Sequence, residues 1–303
     1  MDTLSTMTYE KTGAIARITL NRPARGNGIT LEMPGELSAC VERANLDPEV
    51  RVIALAGNGR GFCAGYDLVS TAETRMEEPD AVAGPPGSPL DMAVQKANHD
   101  PSRPWDPMVD YAMMSRNVRG FMSLFFSDKP VVCKIQGFCV AGGTDIALCC
   151  DLIVIEETAR IGYPPARVWG VPTTALWVSR VGLERARRLL FTGDCLTGKE
   201  AAEWGLAIEA PATELLDERF AALLERLALL PANQLMMMKL LINQTLLAQG
   251  LQPAQVLGTV FDGMARHTPE GYAFQKRAAE AGFKQAVRER DAPFGDAGGP
   301  RKP

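Results

Sequence analysis

Two glycine-rich segments, each at the exit of a short apolar run, constrain this chain more than any other feature. The first, Gly57-Asn58-Gly59-Arg60-Gly61-Phe62-Cys63-Ala64-Gly65-Tyr66-Asp67-Leu68, follows an apolar run over 50–56 that only Arg51 interrupts. The second, Gly137-Phe138-Cys139-Val140-Ala141-Gly142-Gly143-Thr144-Asp145, follows Val131 to Ile135. Apolar runs this short, bounded by turn residues, read as buried strands. Glycine allows turns closed to other residues and lets a ligand approach the backbone. Backbone N–H groups exposed at such a turn, or at a helix start, can bind developing negative charge. The rival reading is a nucleotide loop. Gly57 and Gly59 begin a G-x-G-x-x-G pattern, but Phe62 stands in the third glycine position, and no G-x-x-x-x-G-K-[ST] occurs.

The rest of the chain fits an α/β or layered β-α fold. Ala14 to Leu20 alternates and is β-branched, so it reads as a strand ending at the turn Asn21-Arg22-Pro23. Thr30 is placed to cap a helix whose apolar positions Leu37, Cys40, Val41 and Ala44 share a face. Residues 72–110 are broken by prolines and glycines from Pro79 to Pro107 and read as a long insertion without regular elements. Order resumes near Tyr111 in a helix to Phe126. Thr144 to Cys150 reads as a short helix and Asp151 to Ile155 as the next strand. From Thr173 onward the pattern is mostly helical. Leu216, Phe220, Leu223, Leu224 and Leu227 form one apolar face, and 234–247 forms a second stretch whose Met236, Met237 and Met238 suit a core or subunit interface. We expect a core over 1–200, a helical region over 201–290 and a disordered tail over 291–303.

Composition excludes several function classes. Apolar residues make up 46% and charged residues 22%, as in ordinary globular proteins. A net charge of -4 is too small to argue for a polyanionic or membrane partner, and no basic stripe suggests nucleic acid. No window approaches ~18 uninterrupted apolar residues and no leader pattern opens the chain, so a cytoplasmic location is expected. The seven cysteines include no C-x-x-C pair and sit mostly in apolar runs, as buried thiols in a reducing compartment do. His99 and His267 are far apart in sequence, so no metal site is expected.

Taken together, the two glycine segments resemble the signature segments of the crotonase (enoyl-CoA hydratase/isomerase) family. The phrase F-C-A-G-x-D-L is matched by Phe62 to Leu68. K-P-V falls at Lys129-Pro130-Val131, the G-x-x-x-G-G-G-x-E/D segment at Gly137 to Asp145, and the C-D-[IL] strand start at Cys150-Asp151-Leu152. The N-R-P-x-x-x-N phrase appears as Asn21-Arg22-Pro23 and Asn27, and Leu190-Phe191-Thr192-Gly193-Asp194 continues the match downstream. The resemblance covers roughly residues 10–285. It implies a spiral of ββα turns with a C-terminal helical region, assembled as trimers or pairs of trimers. It places an oxyanion hole on the backbone N–H groups of Tyr66 and Gly142. It lines the coenzyme path with Ala64 and 66–69, that is Tyr66, Asp67, Leu68 and Val69, and offers Lys276 and Arg277 to the coenzyme phosphates. No resident cofactor is implied, because coenzyme A arrives as part of the acyl-CoA substrate.

The reaction is less constrained. Family hydratases hold water between two glutamates. Here the first position is Asp145 and the second is Pro165, with no acid nearby. Asp145 alone can shuttle a proton between α and γ carbons or act as base for water addition. Its alternative role is to complement a helix dipole. Tyr163, Arg167 and Trp169 flank the lost glutamate; Arg167 could hold a substrate carboxylate or a salt bridge. His99 could supply a base from the insertion or be solvated. Asp67 suits positioning its loop better than chemistry. The resemblance leaves three readings: a hydratase or isomerase using Asp145, a crotonase-type hydrolase, decarboxylase or C–C lyase on a functionalised acyl-CoA, and a non-catalytic acyl-CoA-binding relative.

Overall fold

The protein is described here from a computed structural model, which describes residues 4–68 and 84–295. Val69 and most of the tail lie outside the described residues. The chain opens with strand β1 (Met7–Thr12), which pairs antiparallel with β2 (Ile15–Leu20). Gly13, at φ 57°, supplies the positive φ that a two-residue hairpin loop needs. The sequence reading found β2 and missed β1, whose second half is exposed and polar. Helix α1 (Met33–Leu46) and strand β3 (Val52–Gly57) follow. Helix α1 starts after Glu32 with no side-chain cap. Thr30 is therefore not its cap; the Thr30 hydroxyl is buried with no hydrogen-bond partner.

The insertion contains regular structure. Helix α2 (Met92–Asn98) forms between the two proline clusters, capped by Asp91, which accepts a hydrogen bond from Ala93 N at 2.8 Å. Helix α3 (Pro107–Phe125) begins at a residue counted above as a breaker. Proline at a first helical position costs nothing there, since that N–H would have no partner within the helix. Asp106 caps it through Met108 N at 2.9 Å.

Strands β4 (Val131–Ile135) and β5 (Phe138–Val140) lead to helix α4 (Gly142–Leu148), and β6 (Leu152–Ile155) and β7 (Arg160–Gly162) lead through helices α5 (Trp177–Val181) and α6 (Leu183–Thr192) to β8 (Cys195–Thr197). One sheet runs β1-β2-β3-β4-β6, parallel from β2 onward; a second runs β5-β7-β8. Cys63 joins the second sheet by a bridge to Cys139. Each turn of the spiral is thus a strand in the large sheet, a strand or bridge in the small one, and then a helix.

Because strand side chains alternate, β3 serves two cores. Ile53 and Leu55 face the main core with Phe62, Phe121 and Ile146, while Val52 and Ala54 face a second cluster. Both faces being covered, the strand reads as continuously apolar. Helix α7 (Gly198–Glu203) precedes helix α8 (Leu216–Ala228), which covers the outer face with Leu216, Phe220 and Leu224. Each such fully buried side chain contributes roughly 1.5–3 kcal/mol. Helices α9 (Ala232–Ala248), α10 (Leu251–Arg266), α11 (Pro269–Ala281) and α12 (Phe283–Asp291) complete the chain. At the start of the tail, Ala292–Phe294 forms a short turn, where the Phe294 ring lies 4.0 Å from the Arg167 guanidinium. All seven cysteines are free thiols. No described helix is long and apolar enough to cross a membrane.

Candidate active site

The two glycine segments dock on each other, and the asparagine of N-R-P-x-x-x-N organises the first. Asn27 sits in the left-handed region at φ 52°. Its Oδ1 accepts from Arg22 N at 2.8 Å, and its Nδ2 reaches the carbonyls of Asn58, Gly61 and Phe62 at 2.9–3.0 Å. Asp67, with its carboxylate 5% exposed, is gripped by Arg22 at 2.8 Å and Arg25 at 3.1 Å. The segments then meet so closely that a Cβ on Gly143 would lie 2.5 Å from the Cys63 carbonyl, and one on Gly65 2.8 Å from the Ala141 Cβ. Gly65 also needs its φ of 97°. These glycines serve backbone contact, which explains the pattern without a phosphate.

This docking brings Tyr66 and Gly142 side by side. A Cβ on Gly142 would meet the Tyr66 ring at 2.9 Å. Ala141 is held at φ 53°, ψ -131° immediately before it, a strained conformation for alanine costing on the order of 1–3 kcal/mol. Among the described residues, neither the Tyr66 N–H nor the Gly142 N–H donates to an acceptor.

Asp145 lies one helical turn beyond Gly142 and is 1% exposed. Its Oδ1 accepts from Thr174 Oγ1 at 2.7 Å and from Thr174 N at 3.2 Å. Its Oδ2 is buried with no partner. Burial, opposed by the Thr174 hydrogen bonds and reinforced by nearby Asp262, pushes the carboxyl up to about 7. The sequence left the direction open; burial outweighs the helix start. A carboxyl titrating near neutrality with one free oxygen can both take and return a proton.

Around it stand groups the sequence did not single out. Asp262 of α10 accepts from Val171 N at 3.2 Å and from Arg266 Nη1 at 2.9 Å. Burial raises its pKa, while Arg266 opposes the rise. Arg266 Nη2 donates to Asp110 of α3 at 2.8 Å. The only sequence signal was Asp262 and Arg266 four apart on one helix. Burial, with Asp145 and Asp262 nearby, holds the hydroxyls of Tyr66 and Tyr163 far above the usual phenol range.

The two histidines, distant in sequence, lie with ring centroids 4.6 Å apart. His99 is mostly buried: its Nδ1 bonds the Gln95 carbonyl at 2.9 Å, and burial, aided by Arg266, lowers its pKa. Ligand atoms of His99, Asp110 and His267 fall within 4.8 Å of one another. Asp110 already accepts from Arg266, Asn98 and Trp105, and both His267 nitrogens face backbone carbonyls. A cation there would have to displace a guanidinium.

The remaining candidates are scattered. Ala64 is exposed and donates its N–H to Gly26 O at 2.9 Å, and Leu68 is half-buried. Pro165 begins no acid pair; a Cβ on Gly170 would lie 2.7 Å from it and 3.4 Å from the Tyr163 hydroxyl. Arg167 is committed to Thr192 O at 2.9 Å, Asp291 at 3.0 Å and Asp194 at 3.4 Å, so it is a structural cation. Lys276 is exposed, whereas Arg277 makes a bidentate pair with Glu289 at 2.8 Å. A cavity of about 420 Å³ lined by Arg17, Lys134, Asp217 and Phe220 lies under α8, across the sheet from Asp145.

Comparison with known proteins identifies the family and the fold. The family model described as "Enoyl-CoA hydratase/isomerase" matches residues 10–99 and 108–279. The chain is 29% identical over 268 residues to a putative enoyl-CoA hydratase of Thermus thermophilus, covering 86% of this chain and 93% of that one. It is 29% identical over 232 residues to the 1,2-epoxyphenylacetyl-CoA isomerase of Escherichia coli, covering 76% and 78%. The crystal structure of an enoyl-CoA hydratase from Mycobacterium smegmatis superposes with a TM-score of 0.91 at 57% identity, covering 98% of this chain and 97% of that one. The spiral is therefore the crotonase fold. The matched region runs through both glycine segments, Asp145 and the helix carrying Asp262, and by it this chain belongs to the enoyl-CoA hydratase/isomerase family.

Proposed function

We propose that the chain stabilises the enolate of an acyl-CoA thioester with the backbone N–H groups of Tyr66 and Gly142, and moves the proton with Asp145. The observation that carries this reading is the unmet Oδ2 of a buried carboxyl at about 7, set one helical turn from an N–H with no acceptor. The thioester oxygen lies between the two donors, each worth about 10²–10³ in rate. Asp145 takes a proton from the acyl chain, the C–H electron pair passes into the enolate, and the carboxylic acid returns the proton.

With Pro165 in place of the second glutamate and both Asp262 oxygens engaged, one carboxylate oxygen is free for chemistry. That suits a shuttle between α and γ carbons, so isomerisation of a 3-enoyl-CoA is the leading reaction and hydration of a 2-enoyl-CoA the second. The reaction requires no cofactor beyond the coenzyme on the substrate, whose path runs past Ala64, Asp67, Leu68 and Pro165, with Lys276 near its phosphates. The 1–200 core carries this site, the 201–290 helices close over it, and a reducing, cytoplasmic setting suits the free thiols.

The test follows the absorbance of the conjugated thioester. A 3-enoyl-CoA should gain it as the double bond moves into conjugation, and crotonyl-CoA should lose it if water is added. Neither change, with acyl-CoA still bound, would sink this reading in favour of hydrolysis, decarboxylation, C–C cleavage or a binding role.

The chain also leaves apolar side chains uncovered. Leu240, Leu241 and Ile242 of α9 are 57–66% exposed, and Leu257 and Phe261 of α10 are 52% and 44% exposed. Contiguous apolar surface of this kind marks association sites. We expect light scattering to give the mass of three or six chains; a monomer mass would overturn the trimer.

A further inference from the structure

A site made only for a hydrocarbon chain would be lined with apolar groups, and this one is not. Beside Asp145 the hydroxyl of Thr173 and the Nε of Arg266 are buried with no hydrogen-bond partner, and the buried Tyr66 hydroxyl has the Asn117 side chain within reach but makes no well-formed bond. They come from three elements. Tyr66 lies on the first glycine segment, its ring against Gly142. Thr173 precedes the Thr174 that binds Asp145, and the N–H of Thr173 also bears on that carboxyl. Arg266 is anchored at its far end by Asp110 and Asp262 and interacts with Tyr66. The Tyr66 hydroxyl faces Asn117 of α3 together with Asp145, Asp262 and Arg266. Buried donors are normally satisfied, so several unmet in one place point to an absent acceptor.

Resting on the acyl-CoA reading above, we propose that these donors form a polar acyl subsite, and that the preferred substrate is a short acyl-CoA carrying a neutral hydroxyl or keto oxygen at the far end of its chain. That oxygen accepts from the Tyr66 hydroxyl, with Thr173 and Arg266 as further donors. Charge selects the neutral group. Asp110 and Asp262 already share the single Arg266 guanidinium, so a substrate carboxylate would be a further anion beside a balance that is already negative. A plain alkyl chain would leave the donors dry and unpaired, the kind of mismatch that polar sites use to discriminate.

The test is equilibrium binding, by calorimetry, of unreactive saturated thioesters. Butanoyl-, pentanoyl- and hexanoyl-CoA are compared with their terminally hydroxylated counterparts, alongside coenzyme A alone. In the unmodified protein at least one hydroxylated member should bind about tenfold tighter than its plain partner. Tyr66→Phe should bring that ratio to about twofold or less. Thr173→Val carries the same expectation and stands in if the Tyr66 variant does not fold. Equal binding of every pair by the unmodified protein would overturn the polar subsite and leave the acyl-CoA reading intact. Failure of both series and of coenzyme A to bind would remove both.

Discussion

Asp145→Asn should lower turnover by about 10²–10⁴ and at the same time make the protein more stable above pH 7. The two effects share one cause. Burial raises the Asp145 carboxyl from 3.8 to about 7 in the folded chain. Between roughly pH 4 and pH 7 the folded state therefore holds a proton that the unfolded state has lost. Stability contributed by this group falls as pH rises through that window and is level above it. Three units of difference correspond to at most ~4 kcal/mol. Asparagine removes the titration, and its carbonyl oxygen still accepts from Thr174 Oγ1 and N, as Asp145 Oδ1 does. Urea unfolding of both proteins at pH 5 and pH 8 should show the variant's advantage widening with pH. The unmodified enzyme's kcat/KM should rise with pH and level off near 7, since the ionised carboxylate is the base. Turnover that survives the substitution would end the assignment. A variant that gains no stability at pH 8 would show that the carboxyl is not held in its buried, proton-rich state.

Much of this was legible in the sequence because local chemistry dictated it. β3 and β4 had to be buried strands, since their apolar runs end in turns on both sides. The glycines of the two signature segments announced backbone contact, and the contacts are the Cys63 carbonyl and the Ala141 Cβ. What stayed hidden depends on distant residues meeting. Helix α2 lies between prolines that end it without preventing it. His99 and His267 are 168 positions apart and meet only because the insertion folds back on α10. Asp262 shows no local sign of its place beside Asp145, and the Thr174 donors come from an irregular loop. The direction of the Asp145 shift was equally unreadable, because it depends on burial and on Thr174 and Asp262, which are distant in sequence.

The same long-range network sets the second large effect. Arg266→Met should cost about 3–5 kcal/mol of stability, the penalty for leaving buried charges without their partner. Arg266 is 12% exposed and spans Asp262 at 2.9 Å and Asp110 at 2.8 Å, which are 7% and 1% exposed. Without the guanidinium, burial and neighbouring Asp110 push the Asp262 carboxyl further up, opposed by the hydrogen bond from Val171 N but no longer by Arg266. A folded-state carboxyl raised in this way loses stability as pH rises, so the variant should be weaker at pH 8 than at pH 5. Adding Asp110→Asn and Asp262→Asn should recover most of the loss, because no buried charge is then unpaired. Chemical denaturation of the single and triple variants checks this; a single-variant loss below about 1 kcal/mol would mean that water reaches the network. Activity should follow a different course from stability. Asp262 ties down Val171 at 3.2 Å, three residues before the Thr174 that orients Asp145. The triple variant can therefore regain its fold and still turn over slowly, since an asparagine without Arg266 beside it grips that loop less firmly than the charged pair.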